Sequence, residues 1–186
     1  MPILFLPHLQ GVSPHPGGIR SESWEGSRGM ITRSATFSPC RRYRYSLSRI
    51  WNPDKPYCFF CLLNPSTADQ NQNDPTVSRC MRFASDWGYG GLMVGNLFAF
   101  RATDPKQMKS FYASIGPENN KYLMEMSECS GITVAAWGVH GNHLNRARQT
   151  LPLLSRIHYL ELTKDGIPKH PLYLKANLKP IPWEWK

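Results

Sequence analysis

The chain has 186 residues, 41% of them hydrophobic and 12% aromatic, which excludes a disordered chain and suits one domain with a sizeable core. Lys and Arg number 22 against 13 Asp and Glu, and the formal charge of +9 favours polyanionic partners, nucleic acid or a nucleotide. No apolar run reaches the roughly 18 residues that a membrane-spanning helix needs, so no membrane partner is expected.

Residues 1–29 stand apart. Pro2, Pro7, Pro14, Pro16 and the glycines at 11, 17, 18, 26 and 29 leave no helical or strand period. The segment reads as a disordered leader or a start codon assigned too early, and residues 30–186 read as a single α/β domain. Ala35–Phe37 and Tyr43–Ile50 are predicted strands, joined by the turn Ser38–Arg41 into an N-terminal β-hairpin. Tyr57–Leu63 is a continuous apolar run, the pattern of a strand buried on both faces. It stops at Asn64-Pro65. Asp74 and Pro75 then supply an N-cap and a first helical residue, and Val77, Met81 and Ala84 follow at helical spacing.

Leu92–Phe98 is a second buried strand, and Pro117–Cys129 a second helix ended by Gly131. Ile132–Trp137 is a third such strand. A basic helix from about Leu144 to Leu154 and a fourth strand, Ile157–Leu162, complete the pattern. Strands alternating with helices predict a three-layer α/β sandwich around a mainly parallel central sheet. The five cysteines, Cys40, Cys58, Cys61, Cys80 and Cys129, are odd in number and scattered, which points to a reducing, cytoplasmic setting rather than a disulfide framework. Cys58 and Cys61 have CxxC spacing but lie in a strand, where an odd separation sends them to opposite faces. They read as core residues. No metal or cofactor is expected, and the domain is expected to be a monomer.

In such sheets ligands bind outside the carboxyl ends of the strands, and each non-repetitive polar cluster of this chain follows a strand. Asn64, Pro65, Ser66 and Thr67 break the first. The Asn64 amide can position a water or read a base edge, Pro65 ends strand pairing, and the hydroxyls donate or cap. Asp69, with Asp74, is the nearest carboxylate able to act as a base. Asn96 sits inside an apolar strand, where a buried amide costs roughly 1–3 kcal/mol unless it finds partners, and Arg101 follows it. Trp137, His140 and His143 lie in a glycine-flanked turn before the basic helix, whose Arg146 and Arg148 offer phosphate contacts. His140 and His143 could share a metal, but no third ligand accompanies them. His170 precedes Pro171 and could stabilise negative charge on a leaving group. The expectation is that these four clusters wall one pocket.

The motifs Ser34–Pro39, Leu63–Asp69, Asp74–Thr76, Asn96–Pro105, Ala136–Gly141, Leu162–Gly166 and His170–Leu174 together resemble the bacterial and phage family catalogued as domain of unknown function 1643. More distantly, their order is similar to that of the uracil-DNA glycosylase superfamily. Leu63–Ser66 resembles the motif in which Asn-Pro positions the attacking water, and Gly91–Arg101 the strand whose Asn recognises the uracil edge. Lys169–Leu172 resembles the loop whose His hydrogen-bonds the departing base. The resemblance implies a glycosylase-like fold acting on nucleic acid, DNA above all, with Asn64 and His170 in the chemistry and Asn96 reading the base. Ser66 stands where one branch carries an aromatic, so no preference for uracil is implied. Base hydrolysis, non-catalytic nucleic-acid or nucleotide binding, and an enzyme of small nucleotide-like metabolites all remain open readings of these residues.

Overall fold

A computed structural model describes residues 30–185. The expected leader, residues 1–29, lies outside the described residues.

Seven strands form one sheet: β1 (Thr32–Phe37), β2 (Arg44–Ile50), β3 (Tyr57–Leu62), β4 (Gly91–Asn96), β5 (Ile132–Ala135), β6 (Ile157–Tyr159) and β7 (Ile181–Pro182). Their spatial order is β1-β2-β4-β3-β5-β6-β7. The four central strands, β4, β3, β5 and β6, are parallel. The β1–β2, β2–β4 and β6–β7 pairings are antiparallel. The sheet is therefore mixed rather than mainly parallel. The reason is that the predicted β1–β2 hairpin does not sit apart: it docks on the free edge of β4 and extends the sheet.

β3 explains why the core has two halves. Alternate side chains of its apolar run point to opposite faces. Cys58, Phe60 and Leu62 pack with Val77, Cys80, Phe83 and Ala84 of α1 (Pro75–Asp86). Phe59 and Cys61 pack with Met108 of α2 (Pro105–Ser110), Leu123 and Met126 of α3 (Asn119–Cys129), and Ala147 of α4 (Arg146–Thr150). Burying each large apolar side chain contributes about 1.5–3 kcal/mol, so one strand anchors both faces. Cys58 and Cys61 fall in different clusters, as their odd spacing requires.

Asp74 caps α1 as expected: its Oδ1 accepts from the Val77 amide at 2.8 Å, with Pro75 in the first turn. The predicted helix over 144–154 is broken. Leu144 and Asn145 both adopt φ of 54°, the left-handed region, so only Arg146–Thr150 is α-helical, between 3-10 turns at Val139–Asn145 and Leu151–Leu153. Pro152 cannot extend the α-helical ladder, and Asn is among the few residues that tolerate φ above zero. Strand β6 is also shorter than predicted and ends at Tyr159. In the hairpin turn, Cys40 is exposed, and its sulfur lies 3.3 Å from the Ser38 hydroxyl.

The chain leaves β3 through α1 to reach β4 on one side, then returns through α2 and α3 to β5 on the other side of β3. Where crossovers diverge in this way, their loops part and leave a crevice beyond the carboxyl ends of the strands. No helix among the described residues is long and apolar enough to cross a membrane.

Candidate functional site

That crevice holds a cavity of about 900 Å³. Its wall includes Asn64 beyond β3, Asn96 at the end of β4, Trp137 and His140 beyond β5, and His170 in the loop after β6. The four sequence clusters thus meet in one hollow.

Asn64 is fixed by backbone carbonyls. Its Nδ2 donates to the Ala102 oxygen at 2.7 Å and to the Pro65 oxygen at 3.1 Å, which spends both amide hydrogens and leaves Oδ1 as the acceptor. Pro65 is buried, and its carbonyl also accepts from the Ala102 amide at 2.9 Å, so the turn is tied to the segment following β4.

His170 caps the 3-10 turn Pro171–Tyr173, its Nδ1 accepting from the Leu172 amide at 3.4 Å. A neutral imidazole with Nδ1 accepting carries its proton on Nε2. Burial pulls the His170 pKa below its ordinary value, against a smaller opposing pull from the Asp74 carboxylate. The ring is therefore a neutral N–H donor at neutral pH. Gly138 donates to the Pro168 carbonyl at 2.9 Å, which fastens the Trp137–His140 turn to the His170 loop. Its φ of 71° suits glycine.

Asn96 is only 1% exposed. Its Oδ1 accepts from Arg44 at 3.3 Å, and its Nδ2 has no partner among the described residues. An orphaned buried donor costs about 1–3 kcal/mol, and here it belongs to a cavity-wall residue. Arg44, itself 2% exposed and on the same wall, also donates to the Ala68 carbonyl at 2.7 Å. Burial pulls its guanidinium down to about 10, and it remains charged at neutral pH. Sequence reasoning misses Arg44 because a basic residue in a short strand resembles any solvent-facing position. The available signal is its place between Tyr43 and Tyr45, within an otherwise amphipathic hairpin.

Two carboxylates line the cavity. Asp74 is engaged as the α1 cap, and Glu161 forms an ion pair with Lys169. Trp137 is buried with Gly141 against its ring, where a Cβ would fall 2.1 Å from Cδ1. The Lys109 ammonium donates to His140 Nδ1 at 3.0 Å.

Other expected site residues lie elsewhere. Asp69 closes a turn: its Oδ1 accepts from the Asn71 and Gln72 amides at 2.7 and 2.9 Å, and those bonds lower its pKa. It is not on the cavity wall. Arg146 is 2% exposed and donates to the Leu97 carbonyl at 2.8 Å and to Asn120 Oδ1 at 2.6 Å, so it braces β4 against α3 instead of offering a phosphate contact. Arg148 is exposed on α4, away from the cavity wall. His143 packs on Phe98 with ring centroids 5.6 Å apart and does not join His140 on the wall. Ser66 lines both the cavity and an adjoining groove, whereas Thr67 and Arg101 line only the groove.

The profile of a family described as "Protein of unknown function (DUF1643)" matches residues 44–172. The chain belongs to the DUF1643 family. No curated protein and no solved structure matches it. The DUF1643 match begins at Arg44 and ends two residues beyond His170, so it includes both the buried guanidinium and the imidazole of the cavity wall.

Proposed function

We propose that this DUF1643 protein receives a nucleobase of a nucleic acid in the cavity and hydrolyses its N-glycosidic bond, in a three-layer scaffold of the uracil-DNA glycosylase kind. One observation carries the reading: Asn64, Asn96 and His170, distant in sequence, line a single cavity with complementary polar atoms available. About 900 Å³ is within the roughly 300–1,000 Å³ of small-ligand sites and admits an extruded base.

Asn64 Oδ1 orients a water toward C1′. As the water oxygen bonds to C1′, the C1′–N bond breaks and its electron pair leaves with the base. The His170 Nε2–H stabilises the departing anion, and the proton released by the water returns to the base through solvent. Hydrogen-bond donors preorganised where charge develops stabilise the transition state. Asn96 contributes selectivity. Because Arg44 occupies its Oδ1, the amide offers a donor, which suits a ring carbonyl better than an exocyclic amino group.

The test is incubation with duplexes bearing uracil, hypoxanthine or mismatched bases, scored for abasic sites. The wild type is expected to produce them on a carbonyl-bearing base, and Asn64→Ala to reduce activity by about 10²–10⁴-fold, the scale of removing one catalytic group. A wild type that yields no abasic sites on any of these substrates rejects hydrolysis. A base-binding module without hydrolysis is the second reading. It is favoured by the engagement of both cavity carboxylates, which leaves no free base beside Asn64. It predicts salt-sensitive binding with no product.

A further inference from the structure

Beyond Ser66, Ala102 and Thr103, which line the cavity on one side, lies a second and more open groove of about 610 Å³. Arg41, Arg42 and Arg101 line it, and no carboxylate does. Lys169–Glu161 is the one ion pair among the described residues, so these three guanidiniums have no acidic partner there.

The cluster is built rather than incidental. The Arg41 and Arg101 guanidinium carbons lie 4.4 and 5.0 Å from the Phe37 ring centroid. Arg101 Nη1 donates to the Arg41 carbonyl at 3.2 Å, and the Arg101 amide to the Arg42 carbonyl at 2.9 Å. The Arg101 Nε is buried without a partner. Like charges held together repel, and a polyanion relieves that cost. The groove also carries Phe100 and Phe111, stacked with centroids 4.2 Å apart and half-buried, with the exposed Tyr112 ring 5.2 Å from Phe111. Arginines beside aromatic faces form the combination that holds unpaired strands: cations track the phosphates and rings stack the bases.

We propose that this groove binds a single-stranded polynucleotide segment, with its phosphates on Arg41, Arg42 and Arg101 and a base against Phe111. The strand's continuation into the cavity rests on the base-pocket reading above. The groove's affinity for the strand does not.

The experiment is fluorescence anisotropy of labelled oligothymidylate of about 16 nucleotides, a single-strand site size, titrated across salt concentrations. Oligouridylate provides the ribose arm and an unlabelled duplex the competitor. Arg41→Gln/Arg42→Gln/Arg101→Gln is expected to weaken binding at least about tenfold. It should also reduce the slope of log affinity against log salt by about 2, near 0.7 for each phosphate that is no longer neutralised. A matched variant without three exposed charges elsewhere, Arg82→Gln/Lys121→Gln/Arg148→Gln, is expected to bind nearly as wild type. Phe111→Leu, which keeps apolar bulk but removes the stacking face, should weaken binding about fivefold. Equal weakening in both triple variants would reduce the effect to net charge and overturn the site, as would an unchanged groove variant. Loss of duplex binding in the groove variant as large as its loss of single-strand binding would overturn the single-strand assignment. Anisotropy reads strand affinity and abasic-site formation reads hydrolysis, so failure of base hydrolysis and failure of the groove give different results.

Discussion

His170 is a histidine that its surroundings keep neutral, and this has a measurable effect on stability. Its folded pKa lies below that of the unfolded chain because burial disfavours the imidazolium. The unfolded chain takes up its proton near pH 6.5, before the folded one does. The associated stability is fully present above that value and is lost as pH falls through the folded pKa. Chemical unfolding at about pH 7.5 and about pH 5.5 should therefore show a larger loss for the wild type than for His170→Gln, which cannot titrate. An equal loss in both would show that the imidazole is not held neutral. At this scale the sequence was informative where chemistry is unusual for its context. Asn64 and Asn96 break apolar strands, and both reach the cavity. It was uninformative about charge placement. Asp69, Arg146 and Arg148 looked available, but backbone amides occupy Asp69, Leu97 and Asn120 occupy Arg146, and Arg148 faces solvent elsewhere. Arg44, unremarked in the sequence, lies buried on the wall.

Among the elements, the turn after β5 shows how little space the site tolerates. Gly141 rests on the Trp137 ring, and a methyl there would sit 2.1 Å from Cδ1 and 2.7 Å from Nε1. The indole is buried and cannot swing away at low cost, so Gly141→Ala should destabilise the fold by about 1–3 kcal/mol, the range of overpacking. A melting temperature lower by roughly 2–4 °C per kcal/mol is the expected readout for a chain of this size, with changed tryptophan fluorescence. Gly166→Ala is the control. It has φ of 73° but nothing within 4 Å, so it should show only the backbone cost, about 1 kcal/mol. Long elements with strong punctuation were legible: the apolar run of β3, and α1 behind Asp74 and Pro75. The region after Trp137 was not, because left-handed backbone at Leu144 and Asn145 interrupts a pattern that reads as one helix. Strand β7 is two residues long, less than any period can register.

For the whole molecule, alternating strands and helices correctly indicated the parallel centre. They could not indicate that the hairpin would join β4 edge-on, since edge pairing depends on backbone groups and leaves little mark on side-chain pattern. The distribution of thiols follows from the same architecture. Cys58, Cys61 and Cys80 lie in the two cores, where burial pushes their pKa values up, while Cys40 and Cys129 are exposed. The Ser38 hydroxyl stabilises the Cys40 thiolate and lowers its pKa, and Cys40 immediately precedes Arg41 at the arginine-lined groove. Thiolate character governs alkylation rates. The folded protein should therefore react with maleimide at two positions only, Cys40 and Cys129. A polynucleotide lying in the groove would protect Cys40 and leave Cys129, at the far end of α3, reacting at its former rate, so native cysteine chemistry supplies a footprinting pair with its own internal reference.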